Sequence, residues 1–308
     1  MAAGRITNLM IGRSVVADAN TAATRLADTQ RRLASGKDIL RPSDDPFGTS
    51  RALKMREQLE RVDQHARNVE EAIGWQSATE SALSRVTDMV HRVRELVVQG
   101  SNDTATQPGR DNIATEIDQL IEAVKQEANT SYAGRYLFSG SATQTAPYPT
   151  GAPPASDVYA GNGDAMAREI GQGVSVQVNV LASEVFGSGQ TANDNKLLDV
   201  MRDVAQHLRG GTPADTAALR GTDLQRIISN TDEIARVRAV VGGTTNRLEA
   251  AQVRLRELSE TATQLLSTTE DADMADAMVT FSMQQSVYQS ALRSGASIVQ
   301  ASLMDFLR

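Results

Sequence analysis

The side chains able to do chemistry are few and scattered. The histidines are His65, His91 and His207, far apart on helix positions that read as polar. None belongs to an HExxH arrangement, the spacing that puts two imidazoles on one helix face toward a metal. There is no GxSxG elbow and no GxxxxGK[ST] phosphate loop. Gly161 with Gly163, and Gly171 with Gly173, lack the third glycine and following helix of a dinucleotide fingerprint and read as turns. The acids Glu270, Asp271, Asp273 and Asp276 lack the glycine and closing glutamate of a calcium loop, and suit the positive end of a helix dipole better. Ser43-Asp44-Asp45 reads as a helix cap, and Arg31-Arg32 with Lys37 as a modest basic patch at a subunit contact or on a solvent face. The single Trp75 lies beside an apolar seam and is expected to be buried. The residues therefore support no catalytic, metal or cofactor assignment.

Composition narrows the class further. The 308 residues carry 38 acids against 31 bases, a net charge of −7, which disfavours nucleic acid as a partner because phosphate binding needs clustered cations. Aromatic residues make up only 4% of the chain, so thin apolar seams on long helices fit better than a thick globular core. With no cysteine, disulfides and thiol chemistry are both excluded. The first residues hold no apolar run of signal-peptide length, and no stretch is long and apolar enough to cross a bilayer. Taken alone, that pattern reads as cytoplasmic.

The elements able to position a function are helices. Leu9, Gly12, Val16, Ala19, Ala23, Leu26 and Leu33 step by three and four, a helix seam ending at Ser35-Gly36. Asp45 and Pro46 are fitted to the cap and first turn of a second helix, expected over 47–99. After a polar break at 100–109, Ile113, Ile117, Leu120 and Val124 share the face of a third. The most regular pattern is Ile227, Ile234, Val241, Leu248, Leu255 and Ala262, each seven residues apart. Gly242-Gly243 lies inside it and suggests a kink or a close helix contact. A last seam is read through Met274, Met278, Phe281, Gln285, Tyr288, Leu292, Gly295, Val299, Ser302 and Phe306.

Residues 139–193 break this rhythm. They are rich in Gly, Ser, Thr, Ala and Pro, and 168–170 and 174–180 alternate with period two, predicting a small antiparallel insert of two or three strands. The expected fold is mainly α: an elongated antiparallel helical bundle or coiled-coil rod, built from N- and C-terminal segments, with the β-rich insert at its far end. Three parts follow. Residues 1–44 with 270–308 form a terminal coiled coil, 45–138 with 194–269 a helical rod domain, and 139–193 the insert.

Specific residues add a resemblance. Leu33 to Pro46, LASGKDILRPSDDP, is similar to the stretch that joins the terminal coiled coil to the helical domain in the flagellin family. Arg92 to Gln99, Gly134 to Gly140, Val241 to Glu249, Glu270 to Asp273 and the ending Ser302 to Leu307 resemble further stretches of that family, in the same order. The Pro-Ser-Asp-Asp-Pro turn, Arg135-Tyr136-Leu137-Phe138-Ser139-Gly140 and the closing Ser-Leu-Met-Asp-Phe-Leu are closer to its hook-associated junction members than to filament subunits, which remain the alternative. The resemblance implies a structural, non-enzymatic subunit of the extracellular flagellum, without cofactor, exported unfolded by the flagellar type III apparatus without a cleaved signal peptide. It also implies a ring of copies between the first hook-associated protein and flagellin, and a chaperone on the C-terminal segment before export. The expected assembly interface is Leu9, Val16, Leu26 and Leu33 on the first helix, with Phe281, Tyr288, Leu292, Val299, Leu303 and Phe306 on the last.

Overall fold

In a computed structural model the protein is described over residues 8–150, 158–189 and 194–306. The expected class holds: long helices dominate, with two small antiparallel sheets. The elements are α1 (Asn8–Ser35), α2 (Pro46–Gly100), α3 (Gln107–Ala128), β1 (Ser131–Tyr132), β2 (Arg135–Tyr136), β3 (Ala167–Gly171), β4 (Val174–Gln177), α4 (Ala182–Val185), α5 (Leu197–Gly210), α6 (Pro213–Ala218), a π-helical turn (Leu219–Asp223), α7 (Leu224–Glu270) and α8 (Met274–Phe306). The chain divides into two compact units, 62–257 and 1–61 with 258–308.

The first of these units holds the core. Val69, Val86, Val90 and Val93 of α2 pack with Ile117 and Ile121 of α3, Val204 and Leu208 of α5, and Ile234, Val241 and Leu248 of α7. The seven-residue stripe of α7 is buried from Ile227 to Leu255, with its polar partners Thr231, Arg238, Thr245 and Gln252 half-buried beside it. Arg238 donates to Glu80 Oε1 at 2.6 Å and to Thr87 Oγ1 at 3.3 Å, tying α7 to α2. Gly242 and Gly243 sit in open space within an unbroken helix, so the close contact that their position suggests is absent.

Helix ends are closed by side chains. Thr106 caps α3, and Thr212 with Asp215 forms a reciprocal capping box on α6. The Thr212 hydrogen bonds pull the Asp215 carboxyl below the usual carboxylate range. Gln107 Nε2 reaches the otherwise orphan carbonyls of Leu208 and Arg209 at 3.1 and 3.0 Å, just before the left-handed Gly211.

The insert holds the predicted hairpin, β3–β4, with Arg168 opposite Val176 and a bulge at Gly171. A shorter hairpin, β1–β2, precedes it, with both residues of its turn, Ala133 and Gly134, at positive φ. The insert does not stand apart from the helices. Phe138, Tyr148, Ile170, Val176 and Phe186 belong to the same continuous core. Phe186 meets Phe138 edge-on at 5.5 Å and Tyr148 at 6.5 Å. Asn68 and Gln76 of α2 donate to the carbonyls of Glu169 and Val178 at 2.9 and 3.2 Å. Tyr159 hydrogen-bonds the Asn162 carbonyl at 2.9 Å, and burial pushes its phenol up to about 12, so it remains a donor.

The other unit is thin. α1 packs along α8 in antiparallel fashion, closely enough that a Cβ on Gly295 would stand 2.9 Å from Val15 Cγ1. Among its described residues the buried apolar side chains are the alanines Ala22, Ala52 and Ala262.

Candidate functional site

The terminal helix pair and the two connections that lead into it carry the distinctive geometry. α1 ends at Gly36, in the left-handed region at φ +69°, whose N–H returns to Arg32 O at 2.9 Å. The chain then runs beside the α7–α8 connection. Asp38 N–H donates to Glu270 O at 2.7 Å and Ala272 N–H to Gly36 O at 3.0 Å, a short antiparallel bridge between Lys37 and Asp271. Over it lies a clasp. The buried Glu270 carboxylate accepts from Lys37 Nζ at 2.8 Å and from Arg56 Nη2 at 2.5 Å.

The Asp45 cap holds, and of the acidic run Asp273 and Asp276 open α8 as expected, whereas Glu270 closes α7 at the negative end of its dipole and Asp271 lies in the bridge. Asp45 Oδ1 accepts the Phe47 N–H at 3.0 Å, opening α2, and Asp44 Oδ2 accepts the Arg41 N–H at 2.9 Å, folding the turn before it. Asp273 Oδ1 accepts from Ala275 at 2.9 Å and Asp276 at 3.3 Å, opening α8. The basic patch proves to be paired within the chain: Arg31 with Asp28, Arg32 with Asp38, Lys37 with Glu270.

The expected interface residues fall in three groups. Leu26, Leu33, Phe281 and Tyr288 are half-buried between α1 and α8. Val16 and Leu292 are 61% and 49% exposed. The side chains of Leu9, Val299, Leu303 and Phe306 lie outside the described residues. Leu292 and Val16 border an apolar groove of about 200 Å³ floored by Gly12, Ala19 and Gly295.

The α8 seam is rotated from its sequence reading. The half-buried positions Ala277, Phe281, Gln284, Tyr288, Ala291 and Gly295 follow a regular four-three repeat, with Thr280 half-buried beside it. Met274, Met278, Gln285 and Leu292, expected on the seam, are exposed instead. Ala277, Ala291 and Gly295 share the inner line with Phe281, Gln284 and Tyr288, and these small groups let α1 come close while Met278 and Leu292 are left outside.

The histidines are not uniformly solvated. His91 is exposed, but His207 Nδ1 lies 2.6 Å from the buried Asp223 Oδ2, and His65 Nδ1 is buried. Arg226 pairs with Asp203 at 2.7 Å and with Asp199 at 3.4 Å. Burial, with Asp203 nearby, raises the Asp199 carboxyl. The π-helical turn supplies Asp223, and no sequence signal announces it. These contacts tie α5 to α7 as a structural ion network. Among the described residues no three His, Asp or Glu side chains are placed to hold a metal, and no helix is long and apolar enough to cross a membrane.

A helical subunit whose ends pair with each other, and whose end pair keeps much of its apolar surface outside, belongs to the class of structural assembly proteins. Residues 6–143 match the bacterial flagellin N-terminal helical region, and residues 224–307 match the C-terminal helical region. Together these span well over half of the sequence, and the chain belongs to the flagellin family, whose members are structural components of the bacterial flagellum. Flagellar hook-associated protein 3 of Escherichia coli (strain K12) is 26% identical over 292 residues, 88% of this chain and 91% of that protein. Flagellin of Bacillus subtilis (strain 168) is 28% identical over 279 residues, 88% and 87% of the two chains. In fold, a Vibrio parahaemolyticus structure provisionally titled a flagellar hook-associated protein superposes with a TM-score of 0.66 at 21% identity, over 74% of this chain and 100% of that one.

Proposed function

We propose that this protein is the subunit that joins the hook-associated segment of the flagellum to the flagellin filament, acting by packing alone and without catalytic turnover. The observation that carries the reading is the imbalance in the terminal unit. Its described buried apolar side chains are alanines, while Val16, Met278, Val279, Met283, Val287 and Leu292 face solvent. A pair of helices this thin is marginal in water, and neighbours that cover the outer face supply the missing burial. The interface expected from the sequence, extended by this outer face, is the surface assigned to assembly.

In this reading copies form a ring, with the first hook-associated protein on one side and flagellin on the other. A dedicated chaperone holds the C-terminal helix before export through the flagellar type III apparatus. The three-part division at 44/45, 138/139, 193/194 and 269/270 describes the assembled subunit. Its first and last boundaries flank the Glu270 clasp, where the terminal pair begins. The Pro42-to-Pro46 turn and the Arg135-to-Gly140 stretch support the junction member over the filament subunit. In the latter stretch Leu137 and Phe138 are buried and Gly140, at φ +68°, packs tightly against Asn162. The second reading, the filament subunit itself, rests on the comparable identity to flagellins.

Deleting the gene separates the two. Loss of a junction subunit leaves hooks intact and sheds flagellin into the medium. Loss of the filament subunit leaves bare hooks and no flagellin in the medium. Intact filaments in the deletion strain would overturn both.

A further inference from the structure

Methionines are segregated in this protein. Among the described residues, the exposed ones are Met10, Met274, Met278 and Met283, all on α1 and α8. Met201 is fully buried, and Met55, Met89 and Met166 are half-buried. On α8, Met274, Met278 and Met283 are 46%, 64% and 57% exposed. The chain has no cysteine, and its one tryptophan is buried, so no thiol and no exposed indole competes with these thioethers for an oxidant.

We infer that Met274, Met278 and Met283 are oxidation sites, three exposed thioethers spaced around α8 that peroxides convert to sulfoxide, which makes the helix unfit for assembly. The step balances simply. A sulfur lone pair attacks one peroxide oxygen, the O–O bond breaks, sulfur is oxidised by two electrons, and the peroxide is reduced to water or an alcohol. The product carries a strongly accepting S=O group where a flexible apolar chain stood. On a solvated helix face this changes little in the free subunit. Against an apolar neighbour it buries an acceptor without a donor, which opposes packing. The chemistry at sulfur needs only the exposures above; its consequence for assembly rests on the proposed function.

The test uses the purified full-length chain and hydrogen peroxide. Peptide mass spectrometry should find one added oxygen on each of Met274, Met278 and Met283 ~10-fold sooner than on the buried Met201. Circular dichroism of the oxidised monomer should be unchanged. Its ability to cap isolated hooks and seed flagellin growth should fall severalfold, and a sulfoxide reductase should restore it. The triple variant Met274→Leu, Met278→Leu, Met283→Leu should cap hooks before and after peroxide alike. Equal oxidation of Met201 would overturn the site, as would a triply oxidised protein that assembles normally or a leucine variant that stays peroxide-sensitive. If untreated protein never engages hooks, the assembly reading and the proposed switch both fall, while the oxidation map stands or falls on its own.

Discussion

Truncating Phe186 to alanine tests whether the insert and the helices share one cooperative core. Phe186 is fully buried, stacked edge-on against Phe138 and Tyr148, and followed by Gly187, whose carbonyl accepts from the Tyr148 hydroxyl. Removing a buried phenylalanine costs ~3–5 kcal/mol, which includes the transfer of the ring and the cavity left behind. In a unit of this size each kcal/mol lowers the melting temperature by ~2–4 °C, so the midpoint should fall by about 6–20 °C. The readout is the helical circular dichroism signal at 222 nm, roughly the band where helices dominate, because the mutated residue lies outside the long helices. If the core is continuous, the helices melt early with the insert. A helical midpoint that stays put, with only local loosening around 139–189, would refute the single core. Val174→Ala, at an exposed hairpin position, is the control and should stay within ~0.5 kcal/mol of the parent.

Three further outcomes follow from named contacts. Glu270→Gln leaves Lys37 and Arg56 without a carboxylate; because both cations are nearly half exposed, the loss should be ~1–2 kcal/mol, read as earlier proteolytic cleavage between 36 and 45. Leu292→Asp places a charge on an already exposed position, so monomer unfolding should move by less than ~0.5 kcal/mol while filament attachment fails; secretion must be measured alongside, and a sharp fall in the midpoint would place Leu292 in the monomer's own core. The depressed Asp215 carboxyl contributes stability above its unfolded value that is lost as pH falls through its folded one, so Asp215→Asn should flatten the acid limb of urea unfolding, and an unaltered pH profile would count against the capping box.

The parts legible in the sequence were those governed by local rules. The seven-residue repeat of α7, the Asp45 cap and the β3–β4 alternation needed only neighbouring residues to define them. The α8 seam was half legible: Phe281, Tyr288 and Gly295 lie inward as read, but hydrophobicity favoured Met278 and Leu292 over Ala277 and Ala291, and close packing on α1 reversed the choice. The β1–β2 hairpin was hidden because two-residue strands carry no periodicity. The Phe138–Tyr148–Phe186 cluster and the His207–Asp223 contact join residues far apart in sequence, so no window could reveal them. Part of the expected interface reads from sequence alone, since several of its side chains lie outside the described residues.

The bridge between Lys37 and Asp271 sets an order of events during folding. Its charged partner, the Lys37–Glu270 pair, joins groups 233 positions apart. Closing a flexible loop of that length first would cost about 5 kcal/mol in chain entropy, more than one ion pair and two backbone hydrogen bonds return. If α2 and α7 are first held together through the Val69-to-Leu255 core, most of that loop is already closed. The connections then meet at high effective concentration, and α1 zips along α8 from the bridge outward. In refolding, the terminal pair should therefore acquire amide protection last and lose it first.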